Sequence, residues 1–355
     1  MKIKIFTFYY TNNFGAALQS LCLKSFIEEN LNSTVSYCLY QPKDLIFKEI
    51  YRPLITKKPK KFFNVLAKNI NMRIWKKKLN LRKPKYNIDK IRNNNEVCVY
   101  GSDEIWNFKN SYFGFDPFFF GKENQQKKIS YAPSIGISKF ENLNENEKTI
   151  IKKELEKFSI ISVRDSNTSA FIEKLLDIKP QIVVDPTLLC TPSVLINNIS
   201  KKIPNYNYVV VYGTIFSIEQ IKKIKAHCKD NNLTIVSIGY MNSWVNKNLI
   251  DLDPTDFFQI IQNSYQVFTS MFHGIMFSVK LKKNFWYSVD PIRKNKINHF
   301  IGELNLNNRE IINSSDFNDK IDYDKIYLKL DKWIEESKNF LISSIEKYSD
   351  DKKTN

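Results

Sequence analysis

The chain has 355 residues, 43% of them hydrophobic, and carries a formal net charge of +17. That apolar content excludes a disordered chain and is enough to fill two cores of ordinary size. No apolar run is long enough to span a bilayer, and the opening MKIKIFTFYYTNNFGAALQS lacks an apolar core ending in a small-residue cleavage site, so the cytosol is the expected location.

The predicted elements alternate between strand and helix. KIKIFTFY (2–9) is a β-rich run; a polar turn, TNNFG, leads into the helix AALQSLCLKSFIEEN. VSYCLY (35–40), EVCVYGSDEIW (96–106), ISYAPSIG (129–136), SIISVRD (159–165) and IVVDPTLL (182–189) follow as strands running into polar loops, with helices over 144–157 and 166–176. A second series starts with strand 208–213, helix 218–231 and strand 233–240, then helix 253–264, strand 265–270, helix 273–283 and strand 284–289. This alternation predicts parallel sheets. We expect an N-terminal α/β domain over 1–190, a linker near 190–206, a second α/β domain over 207–321, and a C-terminal helix and tail over 322–355.

Charge is unevenly distributed. Residues 41–92 form a basic helical insert assigned to the first domain, with seventeen Lys or Arg against Asp44, Glu49 and Asp89, a local excess of fourteen positive charges. The five cysteines have no metal-ligand or disulfide spacing, and no metal site is expected.

In α/β sheets ligands bind outside the carboxyl ends of the strands, so the residues at those ends are the candidates. In FTSMFHGIMFS (268–278), Ser270 ends a strand while His273 and Gly274 open a helix, where N–H groups and the helix dipole favour an anion. His273 there can exchange a proton near neutral pH, and Gly274 would let a ligand approach the backbone. The rival role for His273 is capping and packing. His227 and His299 read as structural or surface residues.

In VCVYGSDEIWNF (97–108), Ser102 and Asp103 offer a hydroxyl and a carboxylate, and Trp106 offers a stacking surface for a sugar; Ser-Asp is equally a helix cap. Asn13, Gly15 and Gln19 line the first turn, either as a cleft surface or as a satisfied turn and helix face. Arg164 in ISVRDSNT (161–168) is suited to a bidentate anion contact, or to an ion pair with Asp165 or an interdomain acid. Arg293, Lys294 and Lys296 follow the last strand as an anion clamp or a solvated turn.

Taken in order, NNFGAALQ, YGSDEIWN, KKISYAPSIG, ISVRDSNT, VVDPTLL and TSMFHGIMFS followed by KKNFWY resemble the motifs of polysaccharide pyruvyl transferases across almost the whole chain. The resemblance implies two Rossmann-like domains facing a cleft, GT-B-like. It also implies transfer of a pyruvyl group from phosphoenolpyruvate to a sugar of a cell-surface polysaccharide or its lipid-linked precursor, as a ketal. No metal or redox cofactor enters that reaction. His273 becomes the general acid/base and Asp103 a second proton acceptor or sugar contact. Arg164, Ser270, Gly274, Arg293, Lys294 and Lys296 become donor-binding residues. One departure is Met271, which stands where some branches carry an Arg; Arg293, Lys294 or Lys282 would then supply the cation.

The alternative enzyme is a GT-B glycosyltransferase using a nucleotide sugar. A nucleic-acid binder is disfavoured, because the charge sits in one segment without a recognised motif. Within that segment, residues 57–83 place Phe62, Leu66, Ile70 and Ile74 at four-residue steps among cations, with Trp75 close by. That pattern suits the anionic inner face of a membrane, with the protein held there peripherally. The competing expectation is a helix packed on the first domain.

Overall fold

The computed structural model describes residues 1–85, 96–289, 294–313 and 316–350. These form two compact units. Unit 1 takes the described residues of 1–49, 82–192 and 329 onward; unit 2 takes 50–81 and 193–328.

Unit 1 opens with β1 (Lys2–Phe6), α1 (Phe14–Asn30), β2 (Thr34–Tyr37) and a short helix α2 (Lys43–Ile46). The long basic helix α3 (Pro59–Lys78) belongs to unit 2. Unit 1 then resumes with β3 (Val97–Tyr100), β4 (Lys128–Ser130), α4 (Glu145–Leu155), β5 (Phe158–Ile160), β6 (Ser162–Val163), α5 (Ser166–Leu176) and β7 (Gln181–Ile182). Its five-stranded sheet has the order β2-β1-β3-β4-β5, every pair parallel, with Ile3 opposite both Val35 and Val97. Strand β6 pairs with β7 in a separate parallel ribbon. All four residues of β3 are buried, as a strand covered on both faces requires. One face of the sheet meets an aromatic core in which Phe6 stacks on Tyr100 at 4.3 Å and Trp106 on Phe120 at 5.9 Å.

Unit 2 continues with β8 (Tyr208–Tyr212), α6 (Ile218–Asp230), β9 (Thr234–Ile238), β10 (Lys247–Leu249), α7 (Pro254–Asn263), β11 (Gln266–Thr269), α8 (Phe272–Lys280), β12 (Asn284–Tyr287) and α9 (Lys294–Glu303). Its sheet has the order β10-β9-β8-β11-β12, again parallel throughout. Helix starts are set by side-chain caps. Ser217 and Gln220 form a capping box on α6, and Asp253 and Asp256 another on α7. The final helix, α10 (Tyr323–Asp350), begins in unit 2, where Tyr327 donates to the Val279 carbonyl at 3.1 Å. It continues in unit 1, where Trp333 donates to the Ile182 carbonyl and Ser337 accepts from Val184 N.

The fold class is therefore α/β with two Rossmann-like units, the components that a GT-B-like enzyme contains. Two boundaries differ from the expectation. The insert's helix packs on unit 2 rather than on the N-terminal unit. Trp75 is buried and donates to Thr255 Oγ1 at 3.2 Å, Met72 is buried, and Asn71 donates to the Asp251 carbonyl. The C-terminal helix is divided between the units instead of standing apart. Spacing identifies an apolar helix face but not the surface that covers it. Most strands also end two or more residues earlier than their apolar runs. Phe8 and Tyr9, for example, are buried beyond the end of β1. Among the described residues, no helix is long and apolar enough to cross a membrane.

His227 is a core residue of unit 2. Its ring lies 5.5 Å from that of Phe317, its Nε2 is 3.1 Å from the Gln266 amide, and burial lowers its pKa against the pull of Asp316. A depressed histidine contributes stability that is fully present above the ordinary value near 6.5 and is lost as pH falls through the lowered one. Thermal melting should accordingly drop on acidification below about pH 6.5, and His227→Gln should remove that part of the drop.

Candidate active site

In an open parallel sheet, the loops after the two strands where the order reverses diverge and leave a crevice. The reversal falls between β1 and β3 in unit 1 and between β8 and β11 in unit 2. Asp103 follows β3 and His273 follows β11, so each unit carries its principal candidate at its own switch point.

In unit 1, the turn after β3 is built around Gly101. Its φ is +127°, and a Cβ there would lie 2.0 Å from the Tyr131 carbonyl oxygen, so only glycine fits. Ser102 is fully buried and donates to Gln19 Oε1 at 2.7 Å. Gln19 donates to Thr7 Oγ1, and Thr7 donates to the Ser102 carbonyl, each at 3.0 Å. Asn13 caps α1, accepting from Gly15 N at 3.0 Å, and Trp106 is fully buried with its indole N–H on the Phe119 carbonyl at 2.8 Å. These five residues were expected at the acceptor surface. Instead, Ser102, Gln19 and Trp106 have no face left for a sugar, and Asn13 and Gly15 build the start of α1. A polar residue near a strand end can hold the loop as readily as it can bind a ligand.

Arg164 takes the ion-pairing alternative, with acids of its own unit. Its guanidinium sits 3.1 Å from Asp185 and 3.7 Å from Asp103, and its backbone N–H donates to the Pro133 carbonyl. Burial opposes the charge, but Asp103, Asp185 and Asp165 more than reverse that effect and hold the pKa above the ordinary guanidinium range. The charge is thus shared among carboxylates of the protein itself. Asp103 is the member that reaches solvent, its side chain 13% exposed against 2% for Arg164 and none for Asp185. The arrangement therefore presents one carboxylate, fixed by a buried cation, at the carboxyl edge of the sheet.

Asp185 was not singled out from sequence, although the Asp-Pro step just past a short β run marks it. It caps its own turn by accepting from Thr187 N at 3.0 Å. Asp165 caps α5 and accepts from Ser134 Oγ at 2.6 Å, tying the loop after β4 into the same cluster.

In unit 2, the loop after β11 is held by neutral hydrogen bonds. Thr269 Oγ1 donates to the Tyr212 carbonyl at 2.8 Å and accepts from Met271 N, and Ser288 N donates to the Thr269 carbonyl. Ser270 is fully buried, its Oγ accepting from Ile215 N at 3.3 Å, so it positions the loop after β8 rather than a donor. Gly274 is a packing glycine: a Cβ would lie 2.1 Å from Thr269 Oγ1 and 3.0 Å from the Tyr212 ring, so helix and strand use the space that a ligand was expected to enter. His273 stands in the first turn of α8, and Met271 at the N-cap supplies no side-chain oxygen. The site thus combines an imidazole with the positive end of a helix.

Of the candidate cations, Lys296 is held next to this point, its Nζ 5.3 Å from the ring centre of Phe272, the neighbour of His273. Lys294 is exposed at the start of α9. Lys282 lies beyond the opposite end of α8, with its Nζ 4.6 Å from the Tyr327 ring centre, and cannot replace an Arg at position 271. Arg293 lies outside the described residues.

The fold is built from two parallel α/β units, each with polar side chains at its switch point. The family model for polysaccharide pyruvyl transferase matches residues 13–291, and the chain belongs to that family of transferases in polysaccharide biosynthesis. No curated protein matches it. Among solved structures it is similar to the E. coli heptosyltransferase WaaC with ADP, at 10% identity over 83% of this chain and 90% of that chain, TM-score 0.39. It is also similar to the Neisseria meningitidis UDP-GlcNAc 2-epimerase bound to UDP-GlcNAc, at 12% identity over 98% and 100%, TM-score 0.45. The Methanocaldococcus jannaschii UDP-GlcNAc 2-epimerase is a third, at 10% identity over 93% and 92%, TM-score 0.41.

Two stability outcomes follow from this packing. Arg164→Met strands buried carboxylates and should cost about 3–5 kcal/mol, read by denaturant unfolding. Gly274→Ala should cost about 1–3 kcal/mol through overpacking against Thr269, read by the same method.

Proposed function

We propose that the protein transfers the pyruvyl group of phosphoenolpyruvate to a pair of hydroxyls on one sugar of a surface polysaccharide or its precursor, forming a cyclic ketal. Family membership and the position of His273 at the helix N-terminus on the unit 2 switch point support this function.

The chemistry asks for a proton donor and a proton acceptor. A proton adds to the methylene carbon of the enol phosphate while a sugar hydroxyl attacks the neighbouring carbon and gives up its own proton. The carbon–oxygen bond to phosphate then breaks as the second hydroxyl closes on the same carbon, and the proton this hydroxyl loses passes to the departing phosphate, so one donor and one diol yield one ketal and one inorganic phosphate. His273 is the residue to move these protons, because an imidazole works in both directions near neutral pH. The positive end of α8 and the ammonium of Lys296 favour the donor's negative charge. Asp103 is suited to accept a hydrogen bond from a sugar hydroxyl, with Arg164 as its positioning residue.

The test is incubation of the full chain with phosphoenolpyruvate and synthetic or lipid-linked glycans, reading product mass and released phosphate. Ketal product with stoichiometric phosphate is expected, and His273→Ala should slow it by about 10²–10⁴-fold. Equal rates for wild type and variant would remove His273 from the mechanism. Release of a nucleoside diphosphate from a nucleotide sugar, with no turnover of phosphoenolpyruvate, would replace the proposed reaction with glycosyl transfer.

A further inference from the structure

Helix α3 has two faces of different character. One packs on unit 2 through buried Met72 and Trp75, with Asn71 hydrogen-bonded to the Asp251 carbonyl. On the other, Phe63 is 65% exposed, Ile70 48% and Ile74 49%. At about 100° per residue these three fall within about 40° of arc, with Met72 diametrically opposite the centre of the row. The row expected from four-residue steps is thus half kept: Ile70 and Ile74 face outward, Phe63 takes the outer position in place of the half-buried Phe62 and Leu66, and Trp75, expected beside the row, turns inward.

Cations border the exposed row. Lys60, Arg73, Lys77 and Lys78 are all exposed on the same helix, within about 80° of the row's centre. The sequence from 50 to 88 contains thirteen Lys or Arg and no Asp or Glu. Ile55, at 74%, adds an exposed apolar side chain just before the helix. Exposed Phe and Ile side chains lose favourable free energy in water, and nothing on this helix neutralises its charge locally.

We propose that this face of α3 docks unit 2 on an anionic lipid bilayer, with Phe63, Ile70 and Ile74 entering the boundary between headgroups and acyl chains and the flanking cations meeting the lipid phosphates. A bilayer satisfies both halves of the pattern at once, because it offers negative charge at the surface and hydrocarbon just beneath it. The methylene stems of Lys and Arg let their charges stay at headgroup level while the row inserts. A nucleic acid would engage the charge but leaves branched aliphatic side chains without a partner, since its binders stack planar rings on bases. Docking of this kind would hold a transferase next to acceptors carried on lipid; the binding itself does not depend on the pyruvyl-transfer proposal.

The experiment is cosedimentation of the full chain with vesicles of mixed phosphatidylglycerol and phosphatidylcholine, against phosphatidylcholine alone, without donor or acceptor. Binding to the anionic vesicles and not to the neutral ones is expected, weakening as salt is raised. Phe63→Ser, Ile70→Ser and Ile74→Ser combined should reduce partitioning by about tenfold or more. Replacing Lys60, Arg73, Lys77 and Lys78 by Ser should reduce it roughly fivefold per charge. All seven residues are exposed, so both variants should melt with the wild type, and loss of vesicle binding in a folded variant supports the proposal. Absence of wild-type binding to anionic vesicles would overturn it, as would undiminished binding by the apolar triple variant. Retention of a random-sequence oligonucleotide with no vesicle binding would assign the charge to nucleic acid instead.

Discussion

Every strand pair in both five-stranded sheets is parallel, and the placement of the site follows from that constraint. Parallel neighbours need a crossover for each connection, so in each sheet all the loops that leave strands emerge on one edge. Reversal of strand order then separates two adjacent loops and opens that edge at one place. Asp103 and His273 occupy those places in their respective units, although the two sheets differ in strand order. Topology locates these openings before any side chain is considered.

The two switch points are held by different means. In unit 1 a buried guanidinium dictates the arrangement: Arg164 can remain charged inside the protein only with carboxylates around it. Asp185 and Asp103 supply them from the ends of β7 and β3, while Asp165 joins from the start of α5. Such a cluster stabilises only when complete, which makes it a rigid support for its one solvent-facing member. Unit 2 relies on hydroxyl-to-backbone bonds from Thr269 and Ser270 and on the close fit of Gly274 against Thr269. That leaves the first turn of α8 with no carboxylate on its cap or in the turn itself.

The basic helix shows how burial resolves a pattern that spacing leaves open. An apolar residue appears at nearly every second or third position of 62–75, so more than one stripe can be drawn through it. Contact with unit 2 selects one stripe, because Trp75 needs both apolar cover and an acceptor for its indole N–H, and Thr255 provides the latter. What remains outside is the Phe63, Ile70 and Ile74 row.

By itself the sequence determined the fold class and most of the alternating strands and helices, although not β10 or α9, and it placed Asp103 and His273 in loops that follow strands. Helix starts were legible at two local caps: Asp165 opens α5, and Ser217 with Gln220 opens α6, within one residue of the predicted starts. The motif order also determined the family. Tertiary structure alone decided which of the motif residues face outward. Ser102, Gln19, Trp106, Ser270 and Arg164 all lie in the right motifs, yet their polar atoms are used inside the protein. The partner of Arg164 lay twenty-one residues along the chain, in a separate turn. The physical reason is range. Capping and periodicity act over a few neighbouring residues, whereas burial and ion pairing depend on which distant segments meet.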